Sequence, residues 1–289
     1  MKPTTPSEII VVDGPAPGKV AESKLEKLSR DAFWRSKGVD PQLPLQFDPW
    51  PDAMREMPND YARSALFTVR NKREPRQTMQ NSIVFHVEKA VKITFTGIEL
   101  RADDDELVWQ QILEFAKRRP VDEPVVFNLH MLCKEVGWAV NAKSYDRLRL
   151  CISRLKANEV KVESERLGRG VSMSLIHSYE FEGANDKGTK YRVFIHPNLL
   201  MLFAGKHSTR VEWEKYRELS PIERRLYDYF ASHRAPFPLA LEKFYRMCDS
   251  NCSSERKWRL MVKQACVGLV NKELVRNAWV LNDTIHCER

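Results

Sequence analysis

The sequence predicts an α+β protein in which one order of helices and strands occurs twice, behind a largely disordered N-terminal tail. Three observations lead to this prediction. Apolar residues follow strand and helix periods in a definite order after Pro120, and the same order returns after Ser220. Residues 1–40 are instead rich in proline, glycine, serine and charged residues, a composition that does not build a core.

The first copy of this order contains two helices separated by a tight turn. Its segments are a strand (124–129), a short helix (130–139), a turn (140–144), a longer basic helix (145–160) and a strand pair (161–165 and 170–181). A short helix, a turn, a basic helix and a strand pair make up the order of a winged helix-turn-helix domain.

The second copy begins with a helix start signal. Ser220 is expected to cap a helix, Pro221 to be its first residue, and Glu223 to complete a capping box. A short helix (239–248), a turn (249–254), a basic helix (255–273) and a hairpin (274–289) follow. The chain is therefore predicted to hold two tandem winged helix-turn-helix domains. The predicted divisions are a disordered tail (1–40), a linker with a helix near residues 62–71 (41–80), a first domain (81–204) and a second domain (205–289).

Three consecutive aspartates, Asp103 to Asp105, allow two interpretations. They could hold magnesium in a nuclease, because carboxylates are ligands that magnesium accepts. They could also start a helix, with Asp104 as its N-cap and basic residues in its last turn before Pro120. Acid at the start and base at the end match the helix dipole, so the helix start is the favoured interpretation.

Composition limits the class of partner. The chain has 289 residues and a formal net charge of +8, which favours an anionic partner, either nucleic acid or a membrane surface. No apolar run is long enough to span a membrane, and residues 9–12 are too short for the core of a secretory signal. These features predict a cytoplasmic protein with its cysteines reduced.

Motifs for enzymes, cofactors and metals are missing from the sequence. It contains no phosphate-binding glycine loop, no dinucleotide-binding motif and no serine or zinc hydrolase motif. Cys248, Cys252, His286 and Cys287 do not match a common zinc-ligand spacing. The sequence therefore predicts a protein that is not an enzyme and has no cofactor and no metal site.

The two basic helices supply the candidate DNA-binding residues. Leu148 and Cys151 in the first, and Trp258 and Val262 in the second, follow helical spacing and are expected to face the core. Arginine can pair with guanine O6 and N7 together, and lysine neutralises phosphate. The alternative is that both helices are basic only because they face water. The candidates are Lys143, Arg147, Arg154, Arg256, Lys257, Arg259 and Lys263.

Several long motifs resemble the TrfA family of plasmid replication initiators. They include "PWPDAMREMPND", "GIELRADDDELVWQQILEFAKR", "WEKYRELSP" and "HCER", and the likeness runs from about Gln42 to Arg289. The resemblance implies two winged-helix domains that bind tandem direct repeats (iterons) in double-stranded origin DNA. It also implies opening of an adjacent AT-rich region, whose single strands are a further expected partner, and it implies no nucleotide hydrolysis.

The resemblance also implies partner proteins. They are the host initiator DnaA, the replicative helicase and the polymerase sliding clamp, and the chain itself is expected in a monomer–homodimer equilibrium that controls plasmid copy number. The resemblance further implies a plasmid-encoded protein in the bacterial cytoplasm, with no membrane partner. A transcriptional repressor with the same fold is the alternative, since a fold does not determine a function.

Residues 42–47, with the sequence QLPLQF, resemble the peptide by which bacterial proteins dock on the sliding clamp. An extended peptide can insert two apolar side chains into a pocket while a glutamine bonds at its rim. Gln46 makes the peptide one residue longer than the form usual in this family. The alternative is that the peptide packs on its own protein. The predicted clamp-binding residues are Gln42, Leu43, Leu45 and Phe47.

Overall fold

Helices and strands are interspersed along the chain in the computed structural model, which describes residues 23–36, 47–183 and 188–289. The predicted mixture of helix and strand is confirmed. In these ranges the α-helices are α1 (Lys24–Ser36), α2 (Asn59–Ala62), α3 (Asp105–Ala116), α4 (Leu129–Glu135), α5 (Ala142–Lys156), α6 (Leu199–Phe203), α7 (Trp213–Arg217), α8 (Pro221–Ala231), α9 (Leu241–Met247) and α10 (Glu255–Asn271).

The strands form short sheets, most of them antiparallel. In the described ranges they are β1 (Met54–Pro58), β2 (Phe67–Thr68), β3 (Thr78–Val84), β4 (Val91–Ile98), β5 (Leu100–Arg101), β6 (Val125–Asn128), β7 (Glu159–Ser164), β8 (Arg169–Met173), β9 (Ser178–Glu182), β10 (Lys190–Phe194), β11 (Ser208–Glu212), β12 (Leu239–Ala240), β13 (Asn277–Leu281) and β14 (Thr284–Glu288). The strand orders are β3-β4-β7-β8, β6-β10-β9, β12-β14-β13, β1-β11 and β2-β5.

The first repeat unit differs from the prediction in its strands. β6, α4, α5 and β7 follow each other as predicted, but the single strand expected over residues 170–181 is two strands in different sheets. The chain leaves the sheet of β8 at Leu175 and Ile176, whose side chains are fully buried. The Ile176 N–H donates to the Leu155 carbonyl at the end of α5 (2.9 Å), which fixes this departure.

The second repeat unit has the predicted order of helices and ends in the predicted hairpin. The Ser220 side chain and Glu223 form a capping box at the start of α8, and Pro221 is its first residue, as predicted. The two strands of the hairpin, β13 and β14, pair from Asn277 with Glu288 to Leu281 with Thr284. β12 lies on the other side of β14, so the hairpin is attached to the start of α9.

The N-terminal segment corrects three predictions. The predicted tail contains α1, which buries Phe33 and Trp34. The predicted linker is folded from residue 47 onward, because β1 pairs with β11 along its whole length. The helix expected near residues 62–71 is absent from this described segment, where Phe67 lies in β2 beside β5 and is fully buried. In each case the burial of apolar residues in the folded protein decided the structure, although the local sequence predicted a different one.

One buried arginine of the second repeat unit contacts both α3 and the N-terminal segment. The Arg225 guanidinium donates to Glu106 (2.8 Å), Asp228 (2.7 Å) and the Ser64 carbonyl (2.7 Å), and its side chain is fully buried. Burial opposes the charge of Arg225, but Glu106 and Asp228 outweigh it and raise its pKa. The buried apolar residues of both units form one continuous core, so the repeats are firmly attached to each other.

No helix in the described ranges is both long and apolar enough to cross a membrane.

Candidate nucleic-acid interface

Helix α10 starts at a well-formed cap. Ser254 is its N-cap, and the serine hydroxyl accepts a hydrogen bond from the Lys257 N–H (3.3 Å). Glu255 lies in the first turn, where a negative charge suits the helix dipole. A polar cap directly after a turn at residues 249–254 therefore sets where this basic helix begins.

The inner face of α10 packs on the rest of the second unit. Trp258 and Val262 are buried as predicted, and the Trp258 indole N–H donates to the Leu241 carbonyl (3.3 Å). Gly268 lies against the start of α8, where an added Cβ atom would come 1.7 Å from a Glu223 carboxylate oxygen. The absence of a side chain at this glycine therefore permits the close approach of α10 and α8.

The outer face of α10 is basic, as predicted, and has an apolar centre. Leu260 is 56% exposed, and it lies one helical turn from Arg256 and one turn from Lys263. Guanidinium groups, ammonium groups and an exposed methyl pair are the chemistry that contacts guanine, phosphate and the thymine methyl group. The exposed basic residues of this face are Arg256, Lys257, Arg259 and Lys263.

The turn of the C-terminal hairpin reaches the same face. The Arg259 guanidinium donates to the Asp283 carboxylate, and both side chains remain about half exposed. The hairpin therefore contributes an acid to a surface that is mainly basic.

Helix α5 has the same construction but presents fewer of its basic residues. Asn141 is its N-cap, and its side chain accepts from the Ser144 N–H (2.9 Å). Lys143 is exposed. The Arg147 side chain is 38% exposed, but it donates to Asp103 (2.6 Å) and lies over the Trp138 ring (4.0 Å to the centroid). Part of its charge is thus neutralised inside the protein.

The prediction that Arg154 contacts DNA is corrected by its surroundings. Its side chain is only 10% exposed and pairs with Asp105 (2.8 Å) and Asp104 (3.3 Å) at the start of α3. Arg76 pairs with the same two carboxylates from another direction (2.8 Å and 2.7 Å). Two buried acids hold both guanidinium groups, so Arg154 is a structural residue in this arrangement.

The aspartates at the start of α3 serve as the predicted helix cap. The Asp104 carboxylate accepts from the Asp105 N–H (2.8 Å). Burial and the neighbouring Asp104 charge raise the pKa of Asp105 to about 6, although Arg154 and Arg76 act against this. Burial also opposes ionisation of Asp104, but the arginines outweigh it and lower its pKa.

A metal ion does not suit this acidic cluster. Asp104, Asp105 and Cys151 have ligand atoms close enough together to share an ion. The guanidinium groups of Arg76 and Arg154 already supply the positive charge that the carboxylates need. Burial and the two carboxylates raise the pKa of the Cys151 thiol well above its usual value, which disfavours the thiolate that a metal requires.

Comparison with known proteins places the chain in a family. The sequence pattern of the TrfA protein family matches residues 14–289. The chain belongs to the TrfA family. Its relative from Escherichia coli, named plasmid replication initiator protein TrfA, is 49% identical over 271 residues, which cover 94% of this chain and 71% of that protein.

The fold of this TrfA-family chain is similar to a solved structure that shares little sequence with it. A crystal structure of domains 2 and 3 of RctB matches with a TM-score of 0.50 and 12% identity, over 73% of this chain and 85% of that one. At such low identity the match concerns the fold alone. A second structure of the RctB domains has a TM-score of 0.44 and 13% identity, over 71% of this chain and 81% of that one.

The clamp-like peptide of this TrfA-family chain lies partly outside the described residues. Gln42, Leu43 and Leu45 fall there. Phe47 is described, and only 1% of it is exposed, with its ring against Phe203 (5.1 Å between centroids) and Trp50 (5.9 Å). This packing matches the alternative that this end of the peptide packs on its own protein. Clamp docking through Phe47 would require the Phe47 ring to leave its contacts with Phe203 and Trp50.

Sequence reasoning missed two residues of the surface on α10 and its hairpin. Leu260 had a usable signal, because an apolar residue four positions after Arg256 falls outside the buried stripe. Asp283 had no signal in the local sequence, because its neighbour Arg259 lies 24 residues away.

Proposed function

We propose that this chain initiates plasmid replication by binding tandem direct repeats in double-stranded origin DNA, with α10 as the helix that reads base pairs. The observation that carries the proposal is the outer face of α10, where arginine and lysine side chains surround the exposed Leu260. The name of the Escherichia coli relative supports plasmid replication initiation.

The second unit, residues 221–288, is proposed to be a winged helix-turn-helix domain. Helices α9 and α10 flank a turn, and the strand order β12-β14-β13 attaches a hairpin beside them. In such a domain the second helix enters the major groove and the hairpin lies along the adjacent backbone. The 17 residues of α10 span about 25 Å, which exceeds the width of the groove.

The first unit is proposed to place a second helix, α5, on the neighbouring groove segment. Lys143 and the half-exposed Arg147 are its contacts from the predicted set, and phosphate is their expected target. Two DNA-contacting helices that differ in exposed charge give a single chain a direction along DNA. A monomer of this kind suits repeats in direct orientation, whereas a symmetric dimer suits a palindrome.

Further steps of initiation are part of the same proposal and rest on the family resemblance. They are opening of the AT-rich region with binding of its single strands, and recruitment of DnaA, the replicative helicase and the sliding clamp in the bacterial cytoplasm. A monomer–homodimer equilibrium is proposed to adjust copy number, and no nucleotide hydrolysis is proposed.

A selection tests the proposal. The purified chain is mixed with random plasmid and genomic fragments at about 0.15 M salt, since protein–DNA affinity depends on salt, and the retained fragments are sequenced. We expect an origin fragment with tandem direct repeats. The matched control carries Arg256→Ala and Lys263→Ala together, and we expect it to lose the enrichment while remaining folded.

Other outcomes of the selection point elsewhere. Retention of one palindrome beside a promoter would support the repressor. No enrichment by a chain purified as a monomer would exclude sequence-specific initiation, whereas a dimer could be inactive. Incubation of supercoiled DNA with magnesium tests the nuclease alternative, which predicts nicks that disappear in Asp103→Asn.

A further inference from the structure

We propose that Asp283 is a positioning residue that holds the guanidinium of Arg259 for reading one guanine in the DNA repeat. The inference rests on the proposed function and deepens it, because it names a base that the repeat must contain. An arginine has five N–H donors, so one edge of Arg259 can stay on Asp283 while the other edge pairs with guanine O6 and N7.

A rigid frame brings the two side chains together. The backbone N–H of Leu241, at the start of α9, donates to the Asp283 carbonyl (2.8 Å). The Leu241 carbonyl in turn accepts from the Trp258 indole on α10 (3.3 Å). Leu241 and Trp258 are both buried. The hairpin turn, α9 and α10 are thus joined at one point, and the Asp283 carboxylate lies beside Arg259 as a result.

The fold does not require an acid at residue 283. Asn282 and Asp283 form the two-residue turn between β13 and β14, and both have left-handed backbone conformations (φ 46° and 57°). Glycine at the second position is the favoured choice for such a turn. The Arg259–Asp283 ion pair is largely exposed (47% and 64%), and pairs of this exposure contribute little to stability. Stability alone would therefore favour Asn-Gly here.

Simple electrostatic attraction to DNA does not require this acid either. A carboxylate next to a basic face repels phosphate and weakens binding to every duplex alike. Its benefit lies in orientation: a long arginine loses side-chain freedom when it binds, and a fixed partner removes part of that freedom beforehand. Asp283 thus lowers general affinity and raises discrimination at one base pair.

The test uses the repeat duplex recovered by selection, with each guanine replaced in turn by 7-deazaguanine. This base pairs normally with cytosine but lacks the N7 acceptor. Affinities are measured by fluorescence anisotropy for the unaltered chain, Arg259→Ala, Asp283→Gly and Asp283→Asn. Asp283→Gly makes the favoured Asn-Gly turn, so it removes the carboxylate without endangering the hairpin.

We expect the unaltered chain to lose roughly 5-fold in affinity at one guanine, the lower end of the range for a bidentate base contact, because 7-deazaguanine lacks N7 but keeps O6. Arg259→Ala should be insensitive at that guanine, and Asp283→Gly should lose most of the same sensitivity while binding shuffled DNA more tightly. Asp283→Asn keeps an acceptor oxygen and should retain most of the discrimination. The double variant Arg259→Ala with Asp283→Gly should show the same insensitivity to 7-deazaguanine as Arg259→Ala alone.

Two results would overturn the inference, and they are distinguishable. If the unaltered chain selects no duplex, the proposed function fails and the inference fails with it. If the chain selects a repeat but Asp283→Gly keeps the full 7-deazaguanine effect, only the inference fails, and Asp283 is a bystander. Glu255→Gln, which removes an exposed acid from the first turn of α10, controls for the change in net charge.

Discussion

Helices α5 and α10 share a construction and differ in what their arginines contact. Each follows a short helix and a turn, each is capped by a polar side chain, and each buries an apolar stripe. In α10 the arginines face outward. In α5, Arg154 is held by buried aspartates and Arg147 is partly held by Asp103. A basic helix therefore keeps its arginines exposed only where no buried acids of another element hold them.

The difference arises from the helix against which each one packs. Helix α5 packs on α3, whose N-cap Asp104 and first residue Asp105 face Arg154. Helix α10 packs on α8, whose first turn presents Glu223 to Gly268. Glu223 accepts instead from the Ser220 N–H in its capping box (2.7 Å). Both first turns are acidic for the same dipole reason, but only one of them meets arginines.

The largest expected effect is a difference in protein stability between a variant of α5 and a variant of α10. Arg154→Ala leaves two buried carboxylates with one fewer partner, and we expect it to lower the free energy of unfolding by about 3–5 kcal/mol. Arg256→Ala, at an exposed position of α10, should change it by no more than about 0.5 kcal/mol. Urea unfolding followed by circular dichroism measures both. Equal losses in the two variants would contradict the structural assignment of Arg154.

The next largest expected effect is a difference in DNA affinity between variants of the two helices. Arg256→Ala should weaken binding to the repeat duplex by about 1–3 kcal/mol if it reads a base. Arg147→Ala, which removes a partly neutralised charge, should weaken it by less than about 1 kcal/mol. Anisotropy titrations on repeat and shuffled duplexes measure this. A larger effect from Arg147→Ala would move the main reading helix to the first unit.

A smaller effect concerns the packing of α10. Gly268→Ala places a methyl group against the Glu223 carboxylate and disrupts the capping box of α8, with an expected loss of about 1–2 kcal/mol. Val267→Ala, at the exposed neighbouring position, is the matched control. Helix propensity alone predicts the opposite sign, a gain of up to about 1 kcal/mol for Gly268→Ala. A more stable variant in thermal unfolding would show that α8 and α10 can separate without loss.

The smallest expected effect comes from a variant that removes an acidic partner from α5, so that its surface becomes more like that of α10. Asp103→Asn removes the partner charge of Arg147, and we expect tighter binding to every duplex by less than about 1 kcal/mol, with a steeper salt dependence. The measurement is anisotropy at several salt concentrations. In the double variant with Arg147→Ala the steeper slope should disappear. If it persists there, the gain comes from net charge and not from the released arginine.

Local patterns predicted the parts of the fold that depend on neighbouring residues. The capping box at Ser220, the cap at Asp104 and the buried stripes of both basic helices follow from spacing within a few residues, and the structure confirms them. The folded segment from residue 47 was predicted as a linker because its own pattern is interrupted by prolines. Its order comes from distant partners, as in the pairing of β1 with β11.

The candidate site also combines features that local spacing determines with features that the tertiary structure determines. The sequence by itself determined which residues carry charge and which side of each helix is apolar, because helical periodicity depends only on local spacing. Only the tertiary structure decided which charges remain exposed. The partners of Arg154 lie 49 and 50 residues away and that of Arg259 lies 24 residues away, so no local pattern could reveal them. An ion pair depends on distance in space, and packing of whole elements sets that distance.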